Sequence, residues 1–96
     1  MKTLPIEFTK NGFQYRQLAR DGNAALYSQT KGDFGAYEVF AIQSHNGREI
    51  AGKLIPPAEF GPSSEEWGSK GWTYTDRRVA WAAYLGLAEK LRKEAA

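Results

Sequence analysis

A single run of residues, from Asp76 to Glu94, reads as a long helix, and almost everything before it reads as short strands and turns. That division constrains the fold more than any other feature. A sheet with an apolar face needs a cover, and only this helix can supply one. Thr75 or Asp76 serves as its N-cap, because either side-chain oxygen can accept from the free amides of the first turn. Over this span the helix is about 28 Å long at about 1.5 Å per residue. Ala80, Tyr84, Leu87 and Leu91 recur on one stripe, and Val79, Ala83 and Ala88 widen it. The small residues Ala80, Ala83 and Gly86 are expected to bring the helix close to a sheet, with Trp81 and Leu85 clamping its flank. Lys90, Arg92 and Lys93 fall in the last turns, where cations complement the helix dipole and read as a solvated end.

The preceding residues carry strand and turn signals in series. Leu4–Phe8 reads as an edge strand, since Pro5 cannot donate to a central ladder. Asn11-Gly12 and Asp21-Gly22 mark turns on either side of an alternating run from Phe13 to Arg20, and Ala24–Thr30 returns as its partner. Gly32 and Gly35 bracket a second turn, and Ala36–Ser44 is the clearest strand. Asn46-Gly47 is the strongest hairpin dipeptide, and it predicts pairing of Val39 with Leu54 and of Gln43 with Ile50. That register places Tyr37, Val39, Ile50 and Leu54 on the face assigned to the helix. Phe40, Ile42 and Ala51 then share the other face with Glu38, Glu49 and Lys53, so this second face is expected to stay partly exposed. Pro56-Pro57 ends the strands. Ser63 and Glu66 have capping-box spacing and predict one short helical turn before Gly68. Trp72-Thr73-Tyr74 is extended. The expectation is an α+β fold: an antiparallel β-meander of four to five strands packed by one C-terminal helix. Residues 1–96 read as one domain, divided into a meander (1–55), an aromatic loop with a short helical turn (56–74) and the helix (75–95).

Composition narrows the chemistry. The chain has no cysteine, which removes disulfides, thiolate metal sites and cysteine nucleophiles together, and fits a reducing compartment. No apolar run approaches a membrane span, and Met1–Glu7 lacks the apolar core of a signal peptide. The net charge of +2 is too small to imply nucleic acid by itself. The lone histidine, His45, is expected as a solvated residue beside a hairpin tip, without the converging partners that a triad or a metal site requires. Gly32 and Gly35 have no following helix to cradle a phosphate. Glu59, Glu65, Glu66 and Asp76 show no sign of facing one another across a cleft. The expectation is no enzyme, no catalytic residue, no metal and no cofactor.

One stretch exceeds a packing explanation. Trp67, Lys70, Trp72, Tyr74, Arg77 and Arg78, followed by Trp81, interleave aromatic and basic residues of the types enriched in protein hot spots. Packing alone would have Trp72 and Tyr74 plug one end of the core. The same interleaving suits stacking on unpaired bases, with Arg16, Arg20, Lys31, Arg48 and Lys53 as a second basic set along the sheet. The run from Lys31 to Phe40 approaches the aromatic strand of an RRM, but Asp33 and Ala36 break its spacing and the intervening helix is missing. What survives is the expectation that Tyr37 or Phe40 lies on an exposed sheet face.

The arrangement Tyr37-Glu38-Val39-Phe40, Gly47-Arg48-Glu49-Ile50-Ala51-Gly52-Lys53, Pro56-Pro57-Ala58-Glu59, Trp67-Gly68 and Gly71-Trp72-Thr73-Tyr74-Thr75-Asp76 resembles small uncharacterised proteins encoded by bacteriophages and prophages. It spans the middle and C-terminal two-thirds of the chain. The resemblance implies a small cytoplasmic accessory protein that binds a host protein or, alternatively, nucleic acid. An exposed sheet edge further offers strand addition between two copies.

Overall fold

Alternating side chains on two long neighbouring strands build the centre of the molecule, seen in a computed structural model that describes residues 2–95. Strand β3 (Ala24–Lys31) pairs antiparallel with β4 (Phe34–Ala41), Leu26 facing Val39 and Tyr27 facing Glu38. On the other side β3 pairs with β2 (Phe13–Asp21), which carries a bulge at Leu18, and β2 pairs with β1 (Glu7–Lys10). The fifth strand arrives from far along the chain. Strand β9 (Gly71–Tyr74) adds to the open side of β4, so the sheet order is β1-β2-β3-β4-β9, antiparallel throughout. The fold is α+β, as the sequence predicts: this sheet packed by a single C-terminal helix, α1 (Arg77–Ala95).

The helix starts where a capping carboxylate permits. Asp76 Oδ1 accepts from the amides of Arg78 at 2.8 Å and Val79 at 3.2 Å, which makes Asp76 the N-cap. Ala80, Tyr84, Leu87 and Ala88 pack against Ala24, Leu26 and Val39, with Leu91 and Ala83 at the margin. The predicted stripe therefore meets the sheet, but two of its flanking assignments need correction. Val79 is half-exposed and Leu85 is 60% exposed, because neither side chain reaches past the narrow strip of sheet that one helix covers. Gly86 faces open space and has no part in the close approach. The cations at the end are exposed and engaged in surface pairs, Lys90 with Glu94, Lys93 with Glu89 and Arg92 with Asp21. Such pairs contribute little, typically below about 1 kcal/mol each.

The predicted Asn46-Gly47 hairpin is not formed. Strand β5 (Gln43–His45) pairs instead with β8 (Ala58–Phe60), and β6 (Arg48–Ile50) pairs with β7 (Lys53–Ile55). The tight turn lies at Ala51-Gly52, with φ of 51° and 78°, inside the nested ribbon. Local turn preference yields to burial. Val39 is opposite Trp72 rather than Leu54, and Tyr37 is opposite Tyr74. Both aromatic side chains then pack on the helix-side core, which Ile50 and Leu54 would have filled with less apolar area. Ile50 is half-exposed and Leu54 82% exposed on the projecting ribbon. The edge strand also starts later than predicted, at Glu7. Lys2 is instead bridged to Ala58, and the Pro5 carbonyl accepts from the Tyr27 hydroxyl at 2.8 Å.

The face turned away from the helix carries its own cluster: Ala25, Tyr27, Phe40 and Ile42, with Leu4, Phe8 and Tyr15 against it. Tyr27 stacks on Phe40 at 5.5 Å between centroids, and Phe8 stacks on Tyr15 at 4.7 Å. The expectation that Phe40 and Ile42 share this face with Glu38 holds, but both are buried, so Phe40 does not lie on an exposed face. Tyr37 lies on the helix side, as the predicted register has it, and packs against the core there rather than standing exposed.

These environments separate two leucines of equal size. Leu26→Ala is expected to cost about 2–5 kcal/mol. Leu54→Ser is expected to stay within about 0.5 kcal/mol of the parent. Urea denaturation followed by circular dichroism measures both.

Candidate binding cleft

The six residues singled out in the sequence do not form one surface. Trp72 and Tyr74 alternate on β9 towards the helix and are half-buried in its core. Arg77 and Arg78 are exposed in the first turn of α1. Lys70 is paired with Glu66 at 3.1 Å. Trp67 lies on the other side of the sheet. Its indole Nε1 donates to Thr73 Oγ1 at 3.0 Å, and its ring covers Gly71 so closely that a Cβ there would sit 2.5 Å from Cζ3. Gly71 therefore has no side chain because Trp67 occupies the space. The sheet itself divides the predicted aromatic cluster, since successive residues of β9 point to opposite faces.

Trp67 instead joins residues from distant parts of the chain around a cleft of about 780 Å³ on the helix-free face. The sheet contributes Phe8, Tyr15, Glu38 and Phe40; the end of β8 contributes Phe60 and the segment after it Pro62 and Trp67; Leu4 closes the N-terminal side. Trp67 and Phe60 are each more than a third exposed. Among these, only Trp67 and Phe40 stood out in the sequence. Phe8 and Tyr15 were legible as strand aromatics, but nothing local told which face they share with residue 60 or 67.

Two carboxylates hold the walls in place. Glu59 receives the Arg20 guanidinium through both oxygens, at 2.7 Å each, and its Oε1 also accepts from the Leu4 amide at 3.1 Å. This fork ties β2, β8 and the N-terminal run together. The Glu59 side chain is only 10% exposed, and the Arg20 hydrogen bond is the largest of the effects that lower its pKa from 4.5 to about 2. Glu66 ends the short 3-10 turn η1 (Ser64–Glu66) at the predicted capping-box position. Its Oε1 accepts from the Ser63 amide at 3.0 Å, and from Gln43 Nε2 at 3.0 Å. These contacts, led by the Ser63 amide, lower its pKa to about 2. Glu66 thereby fastens the backbone immediately before Trp67.

Glu38 is the exception among the acids of the cleft. It lies on β4 between Tyr27 and Thr73 on the neighbouring strands. Among the described residues no lysine or arginine forms an ion pair with it. Burial raises its pKa, partly offset by Lys10, and together with burial of the ring its charge pushes up the Tyr15 hydroxyl.

His45 is not beside a hairpin tip. It sits in β5 opposite Ala58, half-buried, where Nδ1 accepts from the Gly47 amide at 3.2 Å and the ring lies 5.9 Å from Phe60. No set of three or more histidine, aspartate or glutamate side chains converges to hold a metal ion among the described residues. Among the same residues no helix is long and apolar enough to cross a membrane. Set beside protein-family models, curated proteins and solved structures, the chain matches none.

The Arg20–Glu59 pair makes stability depend on acid in a defined direction. A depressed carboxylate pKa adds stability above its unfolded value, near 4.5, and that stability is lost as pH falls through about 2. The shift corresponds to on the order of 3 kcal/mol at neutral pH. Glu59→Gln is expected to lose about 2–3 kcal/mol at pH 7 and to flatten the stability profile below pH 4.5. Urea denaturation across that pH range measures it.

Proposed function

We propose that this chain is a small non-enzymatic binding module that engages a protein partner through the helix-free cleft. The observation that carries this reading is the open aromatic cleft itself. Trp67 and Phe60 remain more than a third exposed on a face whose other aromatics are packed, and the backbone around them is fastened by Glu59 and Glu66. Exposed aromatic side chains on a pre-organised frame are the recurrent anchors of protein recognition. Against the sequence-based expectation, the contact surface shifts from Trp72, Tyr74 and the Arg77-Arg78 pair to Trp67 and its neighbours across the cleft. The resemblance to phage and prophage proteins supports a host protein as the partner and the host cytoplasm as the setting.

Nucleic acid has less support. Arg16 pairs with Glu7, Arg20 with Glu59 and Lys70 with Glu66, while the Lys31 ammonium rests 5.1 Å from the Phe13 ring centre. Arg48 and Lys53 stand apart on the β6–β7 ribbon. Cations already matched by local acids have less counterion to release on meeting a phosphate backbone.

Affinity capture from bacterial lysate with the parent and two variants tests the reading. Trp67→Ala is expected to lose the captured protein while its far-UV circular dichroism stays native. Arg77→Ala is expected to retain it. Capture unaffected by Trp67→Ala and Phe60→Ala would remove the cleft as the contact surface. Tryptophan fluorescence quenched by single-stranded RNA or DNA, and relieved steeply by salt, would replace the protein partner with nucleic acid.

A further inference from the structure

Glu38 is an uneconomical choice for its position. It occupies an inner strand, so it does not guard a sheet edge against pairing. Its neighbours on that face are Tyr27, Phe40 and Thr73, and Trp67 is held beside it through the Thr73 hydroxyl. The two other carboxylates near the cleft are answered, Glu59 by Arg20 and Glu66 by Lys70, Gln43 and the Ser63 amide. Lys10 lines the same cleft but does not come within ion-pair distance of Glu38. A half-buried carboxylate in an aromatic setting, without its own cation, is complementary in charge to a cation brought from outside.

We infer that the cleft receives an arginine side chain from a segment of the protein partner, its guanidinium placed against Glu38 and its flat face on the surrounding aromatic rings. This rests on the reading of the cleft as a protein-binding surface. Arginine fits better than lysine on physical grounds. Its guanidinium is planar, is weakly hydrated, stacks on aromatic rings and can meet a carboxylate with two parallel N–H donors. The cleft volume of about 780 Å³ also has room for apolar residues flanking the arginine, which would meet Leu4, Phe60 and Pro62. Lys10 is then the internal competitor that the incoming arginine displaces from the field of Glu38.

Loss of the Glu38 charge is expected to move binding and stability in opposite directions. A carboxyl whose folded pKa is raised stabilises the fold fully only below its unfolded pKa, and that contribution is lost as pH rises through the folded value. Replacing Glu38 by a neutral isostere therefore removes a cost at pH 7. A Glu38 that served the fold would show the reverse.

The test uses the full chain, labelled with 15N, and two probes: acetyl-Gly-Leu-Arg-Leu-Gly-amide and the same peptide with citrulline in place of arginine. Citrulline keeps the shape and loses the charge. The arginine peptide is expected to move the Trp67 indole resonance and the amides of β1 and β4, with an affinity at least about five-fold above that of the citrulline peptide. Glu38→Gln is expected to reduce the arginine peptide to the citrulline level while Tm at pH 7 is unchanged or higher. Lys10→Met is expected to tighten the arginine peptide. Equal affinities for the two peptides, both moving the cleft resonances, would overturn the arginine assignment and leave the cleft as a binding surface. Movement of no cleft resonance by either peptide would also overturn it, and the lysate capture with Trp67→Ala then judges the cleft independently. A lower Tm for Glu38→Gln together with unchanged arginine selectivity would return Glu38 to a structural role.

Discussion

Among the described residues a five-stranded sheet with apolar side chains on both faces has a single α-helix to cover it, and the rest of the structure follows from that shortage. Strands β3 and β4 send Ala24, Leu26 and Val39 to one side and Ala25, Tyr27 and Phe40 to the other. Alternation makes this unavoidable, because adjacent residues on a strand face opposite ways. Helix α1 covers the first side with Ala80, Tyr84, Leu87 and Ala88. The second side must be closed by segments with no regular amphipathic pattern of their own.

That closure is made by polar ties rather than by a second layer. The fork between Arg20 and Glu59 draws the N-terminal run and β8 over the sheet, and the carboxylate of Glu66 sets the backbone from which Trp67 folds across Gly71. Ties of this kind fix the position of a few residues without filling the space between them. The cleft is the space left over. Its rim residues, Phe60 and Trp67, keep apolar surface in water that a helix would otherwise have buried. Within that setting a half-buried acid without its own cation carries a cost to the fold.

Much of the meander was legible because its signals are local. Asn11-Gly12, the alternation from Phe13 and the return from Ala24 act within a few residues of one another, and β1 through β4 pair in chain order. Asn46-Gly47 misled for the opposite reason. The choice of partner for β4 is between a nearby strand with a favourable turn and a distant one bearing Trp72 and Tyr74, and the larger apolar burial prevails. The same long-range pairing put Trp67 and Trp72 on opposite faces. Their closeness in sequence suggested one cluster, and the insertion of β9 into the sheet divided it.

By itself, the sequence determined the class of the fold, the start of the helix to within Thr75 or Asp76, the face that Ala80, Tyr84 and Leu87 present, and the turn at Ser63–Glu66. Each of these depends on periodicity, capping or turn chemistry, which act over a few residues. Only the tertiary structure decided that β9 rather than the β6–β7 ribbon completes the sheet. It also decided that Leu54 is exposed, and that Glu38, Phe40 and Trp67 meet around one cleft. Those outcomes compare burial among segments tens of residues apart, and no local pattern records which of two competing strands buries more.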